Sequence, residues 1–368
     1  MKTYQGDGIV GVFDTVLAIM TAIFDQFLVV LKYPLDPDRR IFSLYLASSV
    51  LCAWFVYRAI RRRGDACTEA DIEAASGSFL QFLFPRRVWS HPSAWLDLRY
   101  LFFHKIISYF LLFGVGAGAV SVGFVVASGN MEFGELVMQE WRGTPTDYLL
   151  SIGYMFLTML IGDFIGWAIH YLQHKVPLLW QFHKVHHSAE VMHPVSNFRE
   201  HPVDNLAYGF FISMGFGVMH GLAARYLGFL PSVPTLIGVP LLMFLFNVVG
   251  YNLRHSHVWL RWPGIWSKVF PSPAHHHVHH SCHPDHIDKN FAFMFPIWDV
   301  IFRTYHMPED NRDVKFGIPD YDGGKELTSC LRLYFLPFRD AYRLFRKARK
   351  PVPQTPDETP AETGIPAE

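Results

Sequence analysis

The sequence predicts an all-α membrane protein, a polytopic helical bundle carrying a helical cap. Three observations lead there. Of the 368 residues, 51% are hydrophobic and only 17% charged, where an ordinary soluble domain has about 25% charged. Several stretches approach the ~20 apolar residues that cross a bilayer core. Seventeen of the 20 histidines crowd between His170 and His286, in blocks spaced for helices. The net charge of zero gives no electrostatic case for a nucleic-acid partner. Cys52, Cys67, Cys282 and Cys330 form no Cys-x-x-Cys pair, which argues against a zinc ribbon, an iron–sulfur cluster or a disulfide scaffold.

The elements follow in order. Ile9 to Leu31 is apolar but carries Asp14 and Asp25, so it reads as a span or an interfacial helix. The start lacks a basic region and a small-residue cleavage site, and no signal peptide is expected. Ile41 to Ile60 is the cleanest span and ends in Arg61, Arg62 and Arg63. Ile106 to Ser128 is uncharged and Gly-rich, as packing between membrane helices tolerates. Tyr148 to Ile169 is interrupted only by Asp163. Leu206 to Leu230 and Val233 to Val249 are expected to form a hairpin broken around Pro231 and Pro234. After Tyr305 the chain turns polar. Leu331 to Lys350 has the pattern of an amphipathic helix with basic residues, suited to an anionic membrane surface. Pro351 to Glu368 has no apolar pattern and reads as a disordered tail. Four regions result: N-terminal membrane helices (1–147), a catalytic region (148–306), a surface segment (307–350) and the tail (351–368).

The Lys/Arg bias sets an orientation. Arg61 to Arg63, Arg86, Arg87, Arg99 and Lys105 lie between the second and third apolar runs, so that loop is expected in the cytoplasm. Counting spans from there brings His170, His174 and His255 out on the same face, in what reads as a bacterial inner membrane. Arg39 and Arg40 fall on the wrong side if the first run spans.

The histidine blocks carry the chemistry. They are His170/His174, then His183/His186/His187, then His276/His279/His280, the last two both His-x-x-His-His. Residues three and four apart share a helix face, and neutral imidazole is a good ligand for iron, zinc, copper and nickel. Eight such side chains exceed what one ion takes and suit two ions in a shared site. Asp163 lies seven residues before His170, on the same face within about 20° and about 10 Å along the axis. A carboxylate at that depth is a functional candidate, expected to orient an imidazole rather than to bind metal. A zincin helix would need His-Glu-x-x-His, which does not occur, and a ferritin-like di-iron site two Glu-x-x-His motifs, of which the chain has one, Glu190 to His193. Histidine-rich ligation of two ions suits redox iron that activates dioxygen.

The run Leu179 to Ser188, LWQFHKVHHS, resembles the second histidine box of the fatty acid hydroxylase/sterol desaturase superfamily. Pro273 to His280, followed by Asp288-Lys289-Asn290-Phe291 and Pro296-Ile297-Trp298-Asp299, is similar to its third box, with the alkylglycerol monooxygenase and bacterial sterol desaturase branches nearest. Asn197 to Pro202 also resembles a segment of bacterial members. The resemblance covers Tyr148 to Tyr305. It implies a membrane-bound non-haem di-iron oxygenase that hydroxylates or desaturates a sterol or fatty acyl C–H bond with O2 and two electrons. Carried over, the ligands are His170, His174, His183, His186, His187, His276, His279 and His280, with His255 the best match for a further ligand between boxes. The resemblance implies two iron ions, which zinc can replace on overexpression, and an external donor, cytochrome b5 or ferredoxin with a reductase. The chain has no His-Pro-Gly-Gly, and its Gly-x-Gly-x-x-Gly at Gly6 to Gly11 follows no strand pattern, so it makes no flavin or nicotinamide fingerprint.

Alternatives stay open at this point. Ether-lipid cleavage of the alkylglycerol type is the nearest, and a His-rich metal-transport or storage membrane protein is the rival outside the class. His275, His257, His201 and His193 are candidate additional ligands, and Arg199 or His201 could instead meet a lipid headgroup. His277 should point away from the ions, and His220 should serve helix packing.

Overall fold

The computed structural model describes residues 7–63, 73, 75–112, 114–307 and 314–348. The tail expected at 351–368 lies outside them, as does Cys67. Ten helices of seven residues or more organise the described residues: α1 (Asp7–Leu31), α2 (Ser43–Arg63), α3 (Pro92–Leu112), α4 (Val115–Ser128), α5 (Pro145–Lys175), α6 (Pro177–His187), α7 (Pro202–Leu227), α8 (Leu241–Val248), α9 (Pro273–His279) and α10 (Cys330–Ala348). The only sheet among them is a two-residue antiparallel pair, Thr235–Leu236 with Val239–Pro240. The expected all-α membrane bundle is what forms.

Four helices are long and apolar enough to cross a membrane: α1 from Asp14, α2, α5 and α7. The chain is an integral membrane protein on that count. A fifth span exists if α3 and α4, bent by 43°, count as one broken crossing. The single span expected over 106–128 is therefore divided between two helices, and Gly114 opens the second with φ +78°, a conformation that glycine adopts without strain. The second arm of the expected 206–249 hairpin does not span. Only Leu241 to Val248 is helical there, eight residues or about 12 Å. Pro231, Pro234 and Pro240 deny the backbone the N–H groups that a continuous helix needs.

α5 begins with a reciprocal cap, in which the Thr144 hydroxyl accepts from the Asp147 amide and the Asp147 carboxylate accepts from the Thr144 amide. Its 31 residues extend about 46 Å, more than the ~30 Å of hydrocarbon. The surplus is about three turns, enough for the last two turns of α5, which carry His170 and His174, to lie past the apolar layer. α4 packs on α7 through small residues. A Cβ on Gly221 would lie 2.6 Å from the Phe124 carbonyl oxygen, and one on Gly217 would collide with the Val120 carbonyl. Glycine here lets two backbones touch.

α2 meets the histidine-bearing cap near both ends. Arg40, just before it, donates to Asn197 and Glu200, while Ala53 and Tyr57 pack with Phe82, Leu253 and Val258. α10 buries Leu333 and Tyr334 against Leu96, Tyr100 and Val185. Its outer side exposes Leu331, Phe335, Phe338, Tyr342 and Phe345, an apolar row at helical spacing.

Candidate metal centre

The nine histidines expected as ligands come together as two groups. His170, His174, His183, His187 and His279 form one; His186, His255, His276 and His280 form the other, with ligand atoms within 4.8 Å of one another inside each group. Neither block two nor block three belongs to a single group. In α6, His183 and His187 stand about 40° apart around the axis and His186 about 60° to the other side of His183. The i, i+4 pair serves the five-histidine group and His186 reaches the other. Block three repeats this in reverse: His276 and His280 serve the four-histidine group and His279 crosses over.

The five-histidine group is built so that every Nε2 faces the others. His170 Nδ1 donates to the Phe291 carbonyl at 2.8 Å and His279 Nδ1 to the Lys289 carbonyl at 2.9 Å. His183 Nδ1 lies 3.3 Å from Asp204 Oδ2, and His174 Nδ1 3.5 Å from Asp288 Oδ1. With the proton placed on Nδ1, the lone pair is on Nε2. All five Nε2 atoms are buried and without a hydrogen-bond partner among the described residues. Five inward-facing lone pairs left bare in a dry interior would be costly, and a cation is what satisfies them. The donor set fits a metal ion.

In the four-histidine group His186 Nδ1 donates to the Arg199 carbonyl at 3.1 Å, and His255 Nδ1 lies 3.0 Å from Ser196 Oγ. Burial pushes His183, His187, His255, His276, His279 and His280 well below the ordinary imidazole range, and His186 down to about 4. Neutral rings are the form that binds metal.

Asp163 does not orient an imidazole. Its two oxygens accept the amides of Met294 and Phe295 at 2.8 and 2.9 Å. Asp299 does the same for Phe291 and Ala292, both at 2.9 Å, and also takes the Trp167 indole and Thr304 hydroxyl. Two buried carboxylates thus pin segment 291–295, whose first carbonyl sets the His170 tautomer. The turn into it runs through Asp288 and Asn290 at φ +60° and +56°, positions where Asp and Asn are the usual non-glycine choices.

The other candidates lie outside both groups. His275 Nδ1 is taken by Ser272, His277 donates to the Leu253 carbonyl and His257 to the Phe82 carbonyl. His201 caps α7 through Val203 and donates to the Tyr334 carbonyl. His193 pairs with Asp97 at 3.0 Å. Arg199 is 1% exposed and meets no headgroup. Its guanidinium binds Asp97, Ser188 and Ser93, tying α3 to the loop after the second block. His220 bonds Tyr154 and the Phe216 carbonyl, a packing role between α5 and α7.

Sequence reasoning missed Asp204, Asp288, Ser196 and Arg254. Asp288 and Asp299 stood in motifs already singled out, and a search for carboxylates beside histidine boxes would have raised them. Nothing in the sequence pairs Asp204 with His183, 21 positions away.

Residues 155–304 match the model of the family described as fatty acid hydroxylase. The chain is also 27% identical over 211 residues to the alkylglycerol monooxygenase of Danio rerio, covering 56% of this chain and 40% of that protein. It is 28% identical over 202 residues to the ornithine lipid hydroxylase OlsE of Rhizobium tropici, covering 53% and 52%. Identity to a cholesterol 25-hydroxylase-like protein of Danio rerio is 26% over 186 residues, covering 46% and 65%. The chain spans about half the length of these curated relatives. No solved structure matches it significantly.

Proposed function

We propose that this chain is a membrane-bound, O2-dependent lipid oxygenase with two non-haem iron ions, one in each histidine group. The observation that carries it is the set of five buried Nε2 atoms without partners, converging beside a second group of four. Relatives named as monooxygenases or hydroxylases of alkylglycerols, ornithine lipid and cholesterol support a lipid C–H bond as the target and hydroxylation as the first outcome. When bound, two irons would supply the reduction of O2 that C–H cleavage needs. The protein's part is to hold nine neutral imidazoles in a dry site, fix their tautomers and keep bulk water away. A one-electron donor, cytochrome b5 or ferredoxin with a reductase, is a required partner. The domain assignment follows the site, with 148–306 as the catalytic region and its histidine face toward the cytoplasm.

Metal analysis of purified full-length protein, made with iron supplied anaerobically, should give two ions per chain. Zinc should replace iron on overexpression, since it binds imidazole sites more tightly than Fe(II). Lipid extracts of cells with and without the active protein should differ by +16 for hydroxylation or −2 for desaturation. Loss of an alkylglycerol ether with release of aldehyde would support the second reading, which the alkylglycerol monooxygenase relatives favour. Fewer than two ions, or full turnover without reductant, would remove the di-iron oxygenase.

A further inference from the structure

We infer that the two histidine groups fill in a set order, the five-histidine group first, because Arg254 holds His276 in the tautomer that does not bind a metal ion through Nε2. The inference rests on the proposed reading that both groups hold ions.

Arg254 is buried, and its Nη2 lies 3.2 Å from His276 Nδ1. Guanidinium has donors only, so His276 Nδ1 must accept. A neutral ring has one proton, and in His276 it therefore sits on Nε2. The neighbours agree. His276 Nε2 is 2.7 Å from His255 Nε2 and 2.9 Å from His280 Nε2. Ser196 gives its hydroxyl proton to the His193 carbonyl at 2.8 Å, so its oxygen accepts from His255 Nδ1. His255 Nε2 is then a bare lone pair facing the His276 N–H. In the five-histidine group, by contrast, His170, His174, His183 and His279 all meet carbonyls or carboxylates through Nδ1, and their Nε2 atoms need no rearrangement.

A second ion can take His276 Nε2 only after that proton moves to Nδ1, where the Arg254 N–H already points. The guanidinium must turn away. Its other anchor is the Phe293 carbonyl at 2.8 Å, and its face lies over Tyr251 and Phe246, so the turn breaks real contacts. Arg254 is thus a positioning residue that weakens the second site relative to the first. Partners behind a metal ligand commonly alter affinity by about 10- to 100-fold.

Full-length protein in detergent, stripped of metal, can be titrated with Co(II) alone, following its visible bands and the heat of binding. The expected result is two resolved steps of one ion each, the first at least about tenfold tighter. His280→Ala should keep the tight step unchanged and lose the weak one, while His183→Ala should lose the tight one. Arg254→Met removes the donor and should tighten the second step about tenfold, with the first unmoved. Arg254→Lys, which keeps a donor, should leave the gap as it is. Two ions entering the wild type in one unresolved step would overturn the inference, and so would an Arg254→Met protein of native helix content with both steps unchanged. If Arg254→Met does not fold, the His280→Ala and His183→Ala titrations still decide the order. Saturation below two ions would fail the two-ion reading itself, and the order with it.

Discussion

Replacing Asp163 separates two roles that a buried carboxylate near a histidine block can have. Its oxygens accept two backbone amides, Met294 and Phe295, and a buried donor left without its acceptor costs about 1–3 kcal/mol. Asp163→Ala leaves both amides unpaired in a dry interior, so a loss of about 2–6 kcal/mol is expected. Asp163→Asn keeps one acceptor oxygen and should lose about half as much. The assay is thermal unfolding of metal-free protein in detergent, followed by metal affinity of the folded fraction. Asp163→Ala should unfold at the lowest temperature and Asp163→Asn between it and the wild type, while folded protein still binds metal at close to normal affinity. A carboxylate that oriented an imidazole would behave oppositely, with affinity falling about 10- to 100-fold and metal-free stability unmoved. That outcome would refute the anchoring role.

Within the third block, His276→Ala, His279→Ala and His280→Ala should each lower bound metal, whereas His277→Ala and His275→Ala, outside both groups, should retain two ions by metal analysis. Gly217→Leu should abolish recovery of monodisperse protein, because its side chain would enter the Val120 backbone, while Gly209→Ala, with open space around it, should be recovered normally. Burial pushes the Glu200 carboxyl up, but Arg40 and Lys105 outweigh it and hold it at about 2. A depressed carboxylate contributes stability that is complete above its unfolded value of about 4.3 and is lost as pH falls through the folded one. Glu200→Gln should therefore flatten the stability profile between about pH 4.3 and 2, as read by acid unfolding in detergent.

The helical class, the membrane setting and the identity of nine convergent histidines were legible in the sequence because each is a local pattern. Apolar runs of bilayer length and imidazoles at i, i+3, i+4 need no partner to be recognised. Division of these histidines into five and four was not, since it depends on how α6 and α9 are rotated about their own axes against α5. One helix turn carries His183 and His187 to one group and His186 to the other, and only packing chooses which. The Val233–Val249 run shows the limit of hydropathy: apolar composition suited a span, yet Pro234 and Pro240 within it, Pro231 just before it and a tight two-residue strand pairing left eight helical residues. Asp163 shows the limit of spacing. Its position on the helix face was right for an imidazole, but the strand of backbone that crosses α5 at 294–295 offered two amides at hydrogen-bond distance, and no short-range pattern records that approach. Arg254 belongs with it, a cation whose effect on His276 exists only because folding brings residues 22 apart within one hydrogen bond.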